Sequence, residues 1–378
     1  MKLAADVLVA LAFVAGGYWA WAAYRMRAFA RQRPAASTFT PPVSVLKPLC
    51  GAQPLLYETL RSFCRQTYPS FEIVFGVRDP RDPAIYVVRR LQAEFPALDI
   101  VLVCDSHASG ANPKMNNVVN MVKSARHDVI VLADSDVRVG PEYLRTVVAP
   151  LAKPATGLVT CLYRAVPLPG RPSTLGAMYI NEWFFPSALV AAGLEPLTYA
   201  FGATLACRRD VLDMLGGFAS AADYLADDYM LGRIVAQSGR RVELSPCVVE
   251  TVVHEPSFRT LLRHELRWAR TIRSVRPLGY LMSVVTFGLP LSLLAMACDG
   301  VTWLTSAALV VNLVARLAGR LVASPSRGPG RVQGACLVPL RDVLSLGIWL
   351  LAFCGRTVRW YGRPFTVGRN SRLRRITP

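Results

Sequence analysis

Two apolar regions at opposite ends of the chain limit its architecture more than any other feature. Residues 3–24 form an almost unbroken apolar run of the length a bilayer requires, with Asp6 near its start. Arg25, Arg27, Arg31 and Arg33 follow closely. A cleaved signal peptide carries its positive charges before the apolar run. The order here predicts an anchor over residues 1–26 with its C-terminal end in the cytoplasm. The second region spans residues 277–356 and offers two candidate spans, 278–298 and 302–319, joined by a turn at Asp299-Gly300. Arg320, Arg327 and Arg331 mark a cytoplasmic loop, 324–334, rich in Gly, Pro and Ser. A third apolar stretch, 343–354, follows Arg341 and Asp342 and is too short for an ordinary span. The basic tail after it, 357–378, carries no acid. A crossing at 343–354 would put that tail outside, so a re-entrant or interfacial hairpin with the tail inside is expected.

Composition agrees with a membrane protein. Apolar residues make up 53% and charged residues 18%, against roughly a quarter charged in a soluble domain. That excludes a disordered chain. The 43 Lys and Arg against 25 Asp and Glu give +18, which in so apolar a chain suggests an anionic membrane surface or a phosphorylated ligand. The arginines cluster beside apolar segments, so no nucleic acid is expected. Nine cysteines without CxxC spacing and only four histidines argue against a disulfide framework or structural zinc. Single buried thiols are expected.

Between the apolar regions, residues 40–276 have the pattern of a water-soluble domain. Apolar runs of strand length at 43–46, 71–77, 100–104 and 129–133 alternate with helical stretches at 55–66, 83–95 and 114–124. That alternation predicts an α/β domain with a parallel sheet covered on both faces. The segment 175–194 reads equally as a core helix or an interfacial one.

In such sheets ligands bind beyond the C-terminal strand ends. The strand 129–133 runs into Asp134-Ser-Asp136, whose carboxylates lie on one side of an extended chain. They can share Mg²⁺ or Mn²⁺ with substrate phosphates, or belong to a solvated turn. Asp79 follows the strand 71–77 and can accept a hydrogen bond from a nucleobase or ribose, while Asp82 caps the next helix. Lys114 is either a cation for the nucleotide or a surface lysine. Asp227 and Asp228 can cap a helix, or one of them can act as a general base. Successive helix positions diverge by about 100°, so only one is expected to enter a site. Arg259, Arg263, Arg267, Arg270 and Arg273 put a cationic face on one helix, suited to a diphosphate or to anionic headgroups.

Taken in order, Asp79, Asp134-Ser-Asp136, Asp228 and Arg267-Trp268 resemble the motifs of inverting glycosyltransferases with a GT-A nucleotide-sugar domain. Longer strings are similar to the ceramide glucosyltransferase family, glycosyltransferase family 21. They are Pro42-Val-Ser-Val-Leu-Lys-Pro48, Asp82-Pro-Ala-Ile85, Asn112-Pro-Lys-Met-Asn-Asn117, Gly202-Ala-Thr204, Arg209-Asp-Val-Leu-Asp213 and Ala226-Asp-Asp-Tyr229. The strings at 161–164, 224–229, 255–258 and 264–273 look most like the bacterial hopanoid-associated branch. Two departures stand out: His264 replaces the usual Gln or Arg, and both Asp134 and Asp136 are acidic.

The resemblance implies a multi-pass enzyme of the bacterial cytoplasmic membrane with its GT-A domain facing the cytosol. It implies transfer of GlcNAc from UDP-GlcNAc to a polyhydroxylated hopanoid, or of glucose from UDP-glucose to ceramide. Asp79, helped by Lys114, would hold the uridine. Asp134 and Asp136 would hold a divalent metal, Mg²⁺ or Mn²⁺, and the diphosphate. His264 and Arg267 would neutralise the leaving group, Trp268 would wall the acceptor channel, and Asp228 would be the base. A processive polysaccharide synthase shares these parts but needs a pore, for which the spans are too few. A non-catalytic basic membrane scaffold would not need every matched acid intact.

Overall fold

Alternate residues of the central strands are apolar on both faces, which is why they become the middle of the sheet. In β1 (Val43–Pro48), Val43 and Val45 join one core while Leu46 joins the other. The computed structural model describes residues 2–34, 37–323 and 334–376, so almost all of the loop read at 324–334 lies outside the described residues.

The first half of the domain alternates as expected: α2 (Leu56–Cys64), β2 (Phe71–Val77), α3 (Ala84–Glu94), β3 (Asp99–Cys104), α4 (Pro113–Met121) and β4 (Val129–Ala133). After β5 (Val137–Arg138) and α5 (Tyr143–Val148) come β6 (Thr156–Pro167), α6 (Arg171–Tyr179), α7 (Phe185–Leu194), β7 (Thr204–Arg208), α8 (Arg209–Met214), α9 (Asp227–Gln237) and β8 (Arg241–Val253). The eight strands run in the order β3-β2-β1-β4-β7-β6-β8-β5. β3, β2, β1 and β4 form the parallel run that the pattern predicts, and β6 and β8 are a second parallel pair. β7 is antiparallel to β4 and β6, and β5 is antiparallel to β8, so the sheet is mixed. The long β6–β8 pair carries two register shifts, which break the periodicity that would have revealed it.

Segment 175–194 is a core element. A turn of π-helix, Ile180–Phe184, joins α6 to α7. Phe185, Ala188 and Leu189 pack with Met26 and Phe29 of the N-terminal helix α1 (Lys2–Ala30). Helix α10 (Phe258–Val275) starts at a Ser257–Thr260 capping box. It buries Leu261, Glu265 and Ala269, one every fourth residue and hence on one face.

Among the described residues, α1 and α13 (Trp303–Ala323) are long and apolar enough to cross a membrane. The candidate span at 278–298 is bent. Pro277–Thr286, which begins with α11 (Pro277–Met282), meets α12 (Gly288–Asp299) at 67°. Pro290 in the first turn of α12 has no N–H to continue a helix through this point. Gly288 lets three helices meet: a β-carbon there would fall 1.8 Å from Asn312 Oδ1 and 2.7 Å from Ala15 Cβ. The stretch expected to be re-entrant is α14 (Val338–Phe353), a 16-residue helix. Arg341 and Asp342, read as flanking charges, are buried and paired.

The basic tail folds. β9 (Thr357–Trp360), β10 (Arg363–Val367) and β11 (Leu373–Arg375) form an antiparallel sheet docked on the α/β domain. The cysteines are free thiols, but Cys50, Cys104, Cys336 and Cys354 are exposed rather than buried.

Candidate active site

The charged residues gather where the parallel strands end. Lys114, in the first turn of α4, places its ammonium 2.7 Å from Asp134 Oδ1 and 3.1 Å from Asp227 Oδ2. Burial alone would lower its pKa, but Asp134 and Asp227 outweigh that and hold it well above the ordinary lysine value. Lys114 is thus neither a surface lysine nor a partner of Asp79.

Asparagines hold α4 in place. Asn112 accepts the Met115 N–H as the helix cap and donates to Tyr224 O at 2.7 Å, tying α4 to the turn before α9. Asn116 accepts the N–H groups of Ser109 and Gly110, and Asn117 donates to Gly76 O at 2.7 Å. A β-carbon at Gly76 would fall 2.3 Å from Met121 Cγ, so only glycine permits this approach of α4 to β2. The string Asn112–Asn117 therefore fastens loops as well as delivering Lys114, a role its sequence did not disclose.

Asp228 lies across the cleft from Asp134. A β-carbon on Gly202 would fall 3.0 Å from Asp228 Oδ2 and 3.6 Å from Asp134 Oδ2, so this glycine keeps the space between them open. Burial, followed by the Asp227 carboxylate, pushes Asp228 up to about 7. It accepts a hydrogen bond from the adjacent Tyr229 N–H, at 2.8 Å. Contrary to the helical-wheel expectation, both acids of the pair serve this cluster. They occupy the first turn of α9, and Lys114 reaches Asp227 from the side.

Asp136 accepts a hydrogen bond from Thr251 Oγ1 at 2.7 Å. Burial and then Asp134 raise its pKa. Behind the pair lies Lys47, fully buried at the end of β1, which donates to Asp134 O and sits 3.8 Å from the centre of the Phe63 ring. Burial lowers Lys47 to about 7, against the pull of Asp136 and Asp134. Sequence reading passed over Lys47, because a lysine inside an apolar strand shows no partner until the fold supplies one.

Helix α10 brings Arg267 to the same cluster. Burial lowers its pKa, opposed by Tyr361, Tyr163, Asp134 and Asp227. Trp268 stacks between His264 and Tyr179, with ring centroids at 5.0 and 5.8 Å. His264 Nδ1 shares a hydrogen with the buried Glu255 at 2.7 Å, so that nitrogen is engaged by a residue outside the cluster. Asp79 stands apart. Its carboxylate accepts the Arg81 N–H at 2.9 Å, and that bond and the Arg81 guanidinium hold it below the usual range. The ends of β2 and β4 flank β1, so the two strand ends lie about 10 Å apart, two strand spacings.

Among the described residues no three His, Cys, Asp or Glu side chains form a ready metal site. Lys114 engages Asp134 Oδ1 and Thr251 engages Asp136 Oδ2. Two further carboxylate oxygens and open space suit a hard cation that takes its remaining ligands from phosphate and water. The residues present fit such an ion.

Residues 7–373 match the family model described as Glycosyl transferase family 21. The chain belongs to this family. It is 26% identical over 231 residues to ceramide glucosyltransferase 3 of Caenorhabditis elegans, covering 61% of this chain and 50% of that protein. It is 32% identical over 121 residues to a ceramide glucosyltransferase of Candida albicans, covering 29% and 22%. The chain thus spans half or less of these relatives. A solved mannosyltransferase of Pyrobaculum calidifontis, in complex with GDP-Man and Mn²⁺, superposes over 93% of this chain and 97% of its own, with TM-score 0.56 and 21% identity. That likeness establishes a GT-A-like fold for this family 21 chain.

Proposed function

We propose that this family 21 protein is a membrane-bound inverting glycosyltransferase that moves a hexose from a UDP-sugar to a lipid hydroxyl. The observation that carries the reading is the meeting of Asp134, Asp136, Lys114, Asp228 and Arg267 at one strand-end cleft. In this scheme Asp79 holds the uridine at the far strand end. Lys114 and Arg267 face the diphosphate, with His264 beside them at the rim. A divalent ion, Mg²⁺ or Mn²⁺, held by Asp134 and Asp136 would neutralise charge on the leaving UDP. Asp228 takes the proton of the lipid hydroxyl as its oxygen attacks the anomeric carbon, and the bond to UDP breaks with its electron pair on the phosphate. UDP is a good leaving group, so one base suffices where a glycosidase needs a second acid. A single displacement from an α-linked donor gives a β-linked product.

A lipid acceptor fits the surroundings. Stacked rings lead from Trp268 through Tyr179 and Trp183 to Phe287, at the break between the apolar helices. Such a path lets an apolar tail stay in the bilayer while its head reaches Asp228. The arginines after α1 favour a multi-pass arrangement in a bacterial-type cytoplasmic membrane, with the α/β domain in the cytosol. The strings at 224–229 and 264–273 favour UDP-GlcNAc and a hopanoid polyol. The curated relatives favour a second reading, UDP-glucose and ceramide. Purified protein given each donor with each lipid, in the presence of Mn²⁺, decides between them by mass spectrometry of the product. No UDP release with any pair would sink the enzyme reading, and an α linkage by NMR would sink inversion.

A further inference from the structure

The C-terminal sheet touches three of the segments that deliver charge to the cleft. Val358, Phe365, Val367 and Leu373 form a small core with Leu225, and Ala111 and Trp360 pack against it. Leu225 lies two residues before Asp227, and Ala111 three before Lys114. The N–H of Leu225 donates to Ser371 O at 2.9 Å, that of Ala226 to Ser371 Oγ at 3.2 Å, and that of Leu373 to Asp223 O at 2.8 Å. On the third side, Arg270 and Arg273, just past Arg267 on α10, donate to the carbonyls of Cys354, Thr357 and Gly355.

The β9–β10 hairpin turns on Tyr361 and Gly362, both left-handed, with φ of 47° and 72°. Two-residue turns of this backbone ordinarily begin with Asn, Asp or Gly. A bulky residue there is strained, and such strain persists where the surroundings hold it, often at functional positions. Tyr361 is 45% exposed, and its phenol lies within electrostatic range of Lys114, Asp134, Asp227 and Arg267. A phenol keeps its proton at neutral pH, so the hydroxyl is available as a hydrogen-bond donor.

We propose that the C-terminal sheet closes the donor cleft and that the Tyr361 hydroxyl donates a hydrogen bond to the diphosphate of the bound nucleotide sugar. This rests on the UDP-sugar reading above. It assigns a donor-binding residue to a segment that the sequence presented as a basic tail.

The test uses the full chain in detergent with Mn²⁺. UDP affinity is measured by calorimetry, KM for donor and acceptor by assay, and Tm by melting. Tyr361→Phe removes only the hydroxyl. Tyr361→Asn also removes the hydroxyl but suits the turn backbone, so it separates the loss of the hydroxyl from any relief of strain in the turn. The expected result is UDP binding weakened about tenfold or more in both variants, the range for one hydrogen bond to a charged partner. Donor KM should rise with it, while acceptor KM and Tm are maintained and Tyr361→Asn melts no lower than wild type. Wild-type UDP affinity in both variants overturns the inference, as does a loss of affinity that merely follows a fall in Tm. Failure of the wild-type protein to bind UDP overturns the donor reading itself.

Discussion

Two assemblies of buried charge lie close together in this molecule and are finished to different degrees. Beside the apolar helices, Arg341 meets Glu265 through two parallel bonds of 2.7 Å and also reaches Ser345 Oγ and Leu175 O. Arg316 meets Asp342 at 2.7 and 2.9 Å and donates to Glu182 O at 2.7 Å. These planar forks are matched oxygen by oxygen, the geometry a buried ion pair needs to offset its desolvation. In the cleft, Asp134, Asp136, Asp227 and Asp228 confront Lys47, Lys114 and Arg267. Lys114 is shared between two carboxylates, and among the described residues Asp228 makes no ion pair. The first assembly is closed and fixes helices. The second carries surplus negative charge around open space, an arrangement that favours a cation and, through it, a diphosphate.

Breaking the closed assembly should give the largest effect. Glu265 is buried on α10, two residues before Arg267. Glu265→Ala leaves the Arg341 guanidinium buried without its partner, which typically costs about 3–5 kcal/mol. The double variant Glu265→Leu with Arg341→Met should recover most of that loss, because no charge is then stranded. Denaturant unfolding in detergent checks both. Equal losses in the single and double variants would mean that packing, not pairing, holds α10.

The open assembly should yield less in stability and more in rate. Asp228→Asn is expected to reduce turnover roughly 10²-fold or more, the usual weight of a general base. Its folded value of about 7 stands above the ordinary 3.8. The folded state therefore holds this proton more tightly than the unfolded chain. The stability it contributes is full below the unfolded value and lost as pH rises through about 7. Wild-type turnover should rise with pH through the same window, by about tenfold per unit below it, as the base ionises. Asp228→Asn should abolish that stability trend and melt higher than wild type at alkaline pH. A variant with an unchanged pH–melting curve would place the titration elsewhere.

The same contrast explains what could be read from the sequence. Runs 71–77 and 129–133 match β2 and β4 because fully buried parallel strands leave continuous apolar runs. The acids after them stand at strand ends, so Asp79, Asp134 and Asp136 could be picked out from position alone. The expectation that only one of Asp227 and Asp228 enters the site rests on a rule for helix interiors, which does not govern a first turn met sideways by a lysine. Arg341 and Asp342 read as membrane-flanking charges because their partners, Glu265 and Arg316, lie 76 and 26 residues away. The tail sheet was hidden for a different reason. Its strands span three to five residues, carry several arginines, and gain register only by pairing with one another and with Asp223–Leu225.

The smallest perturbation probes the open space itself. Gly202 has no side chain where one would stand between Asp228 and Asp134. A methyl group there would fall 3.0 Å from Asp228 Oδ2, so the carboxylate would have to move by a few tenths of an ångström. The new group is apolar and next to two acids, and displacements of this size weaken a positioned base without removing it. Gly202→Ala should therefore reduce kcat several-fold, well short of the loss in Asp228→Asn, and leave Tm nearly unchanged, since no buried pair is broken. Turnover equal to wild type would mean that the gap between Asp134 and Asp228 is wider in the working enzyme than the reacting groups require. A loss as large as that of Asp228→Asn would mean that the glycine keeps open the path of the sugar itself.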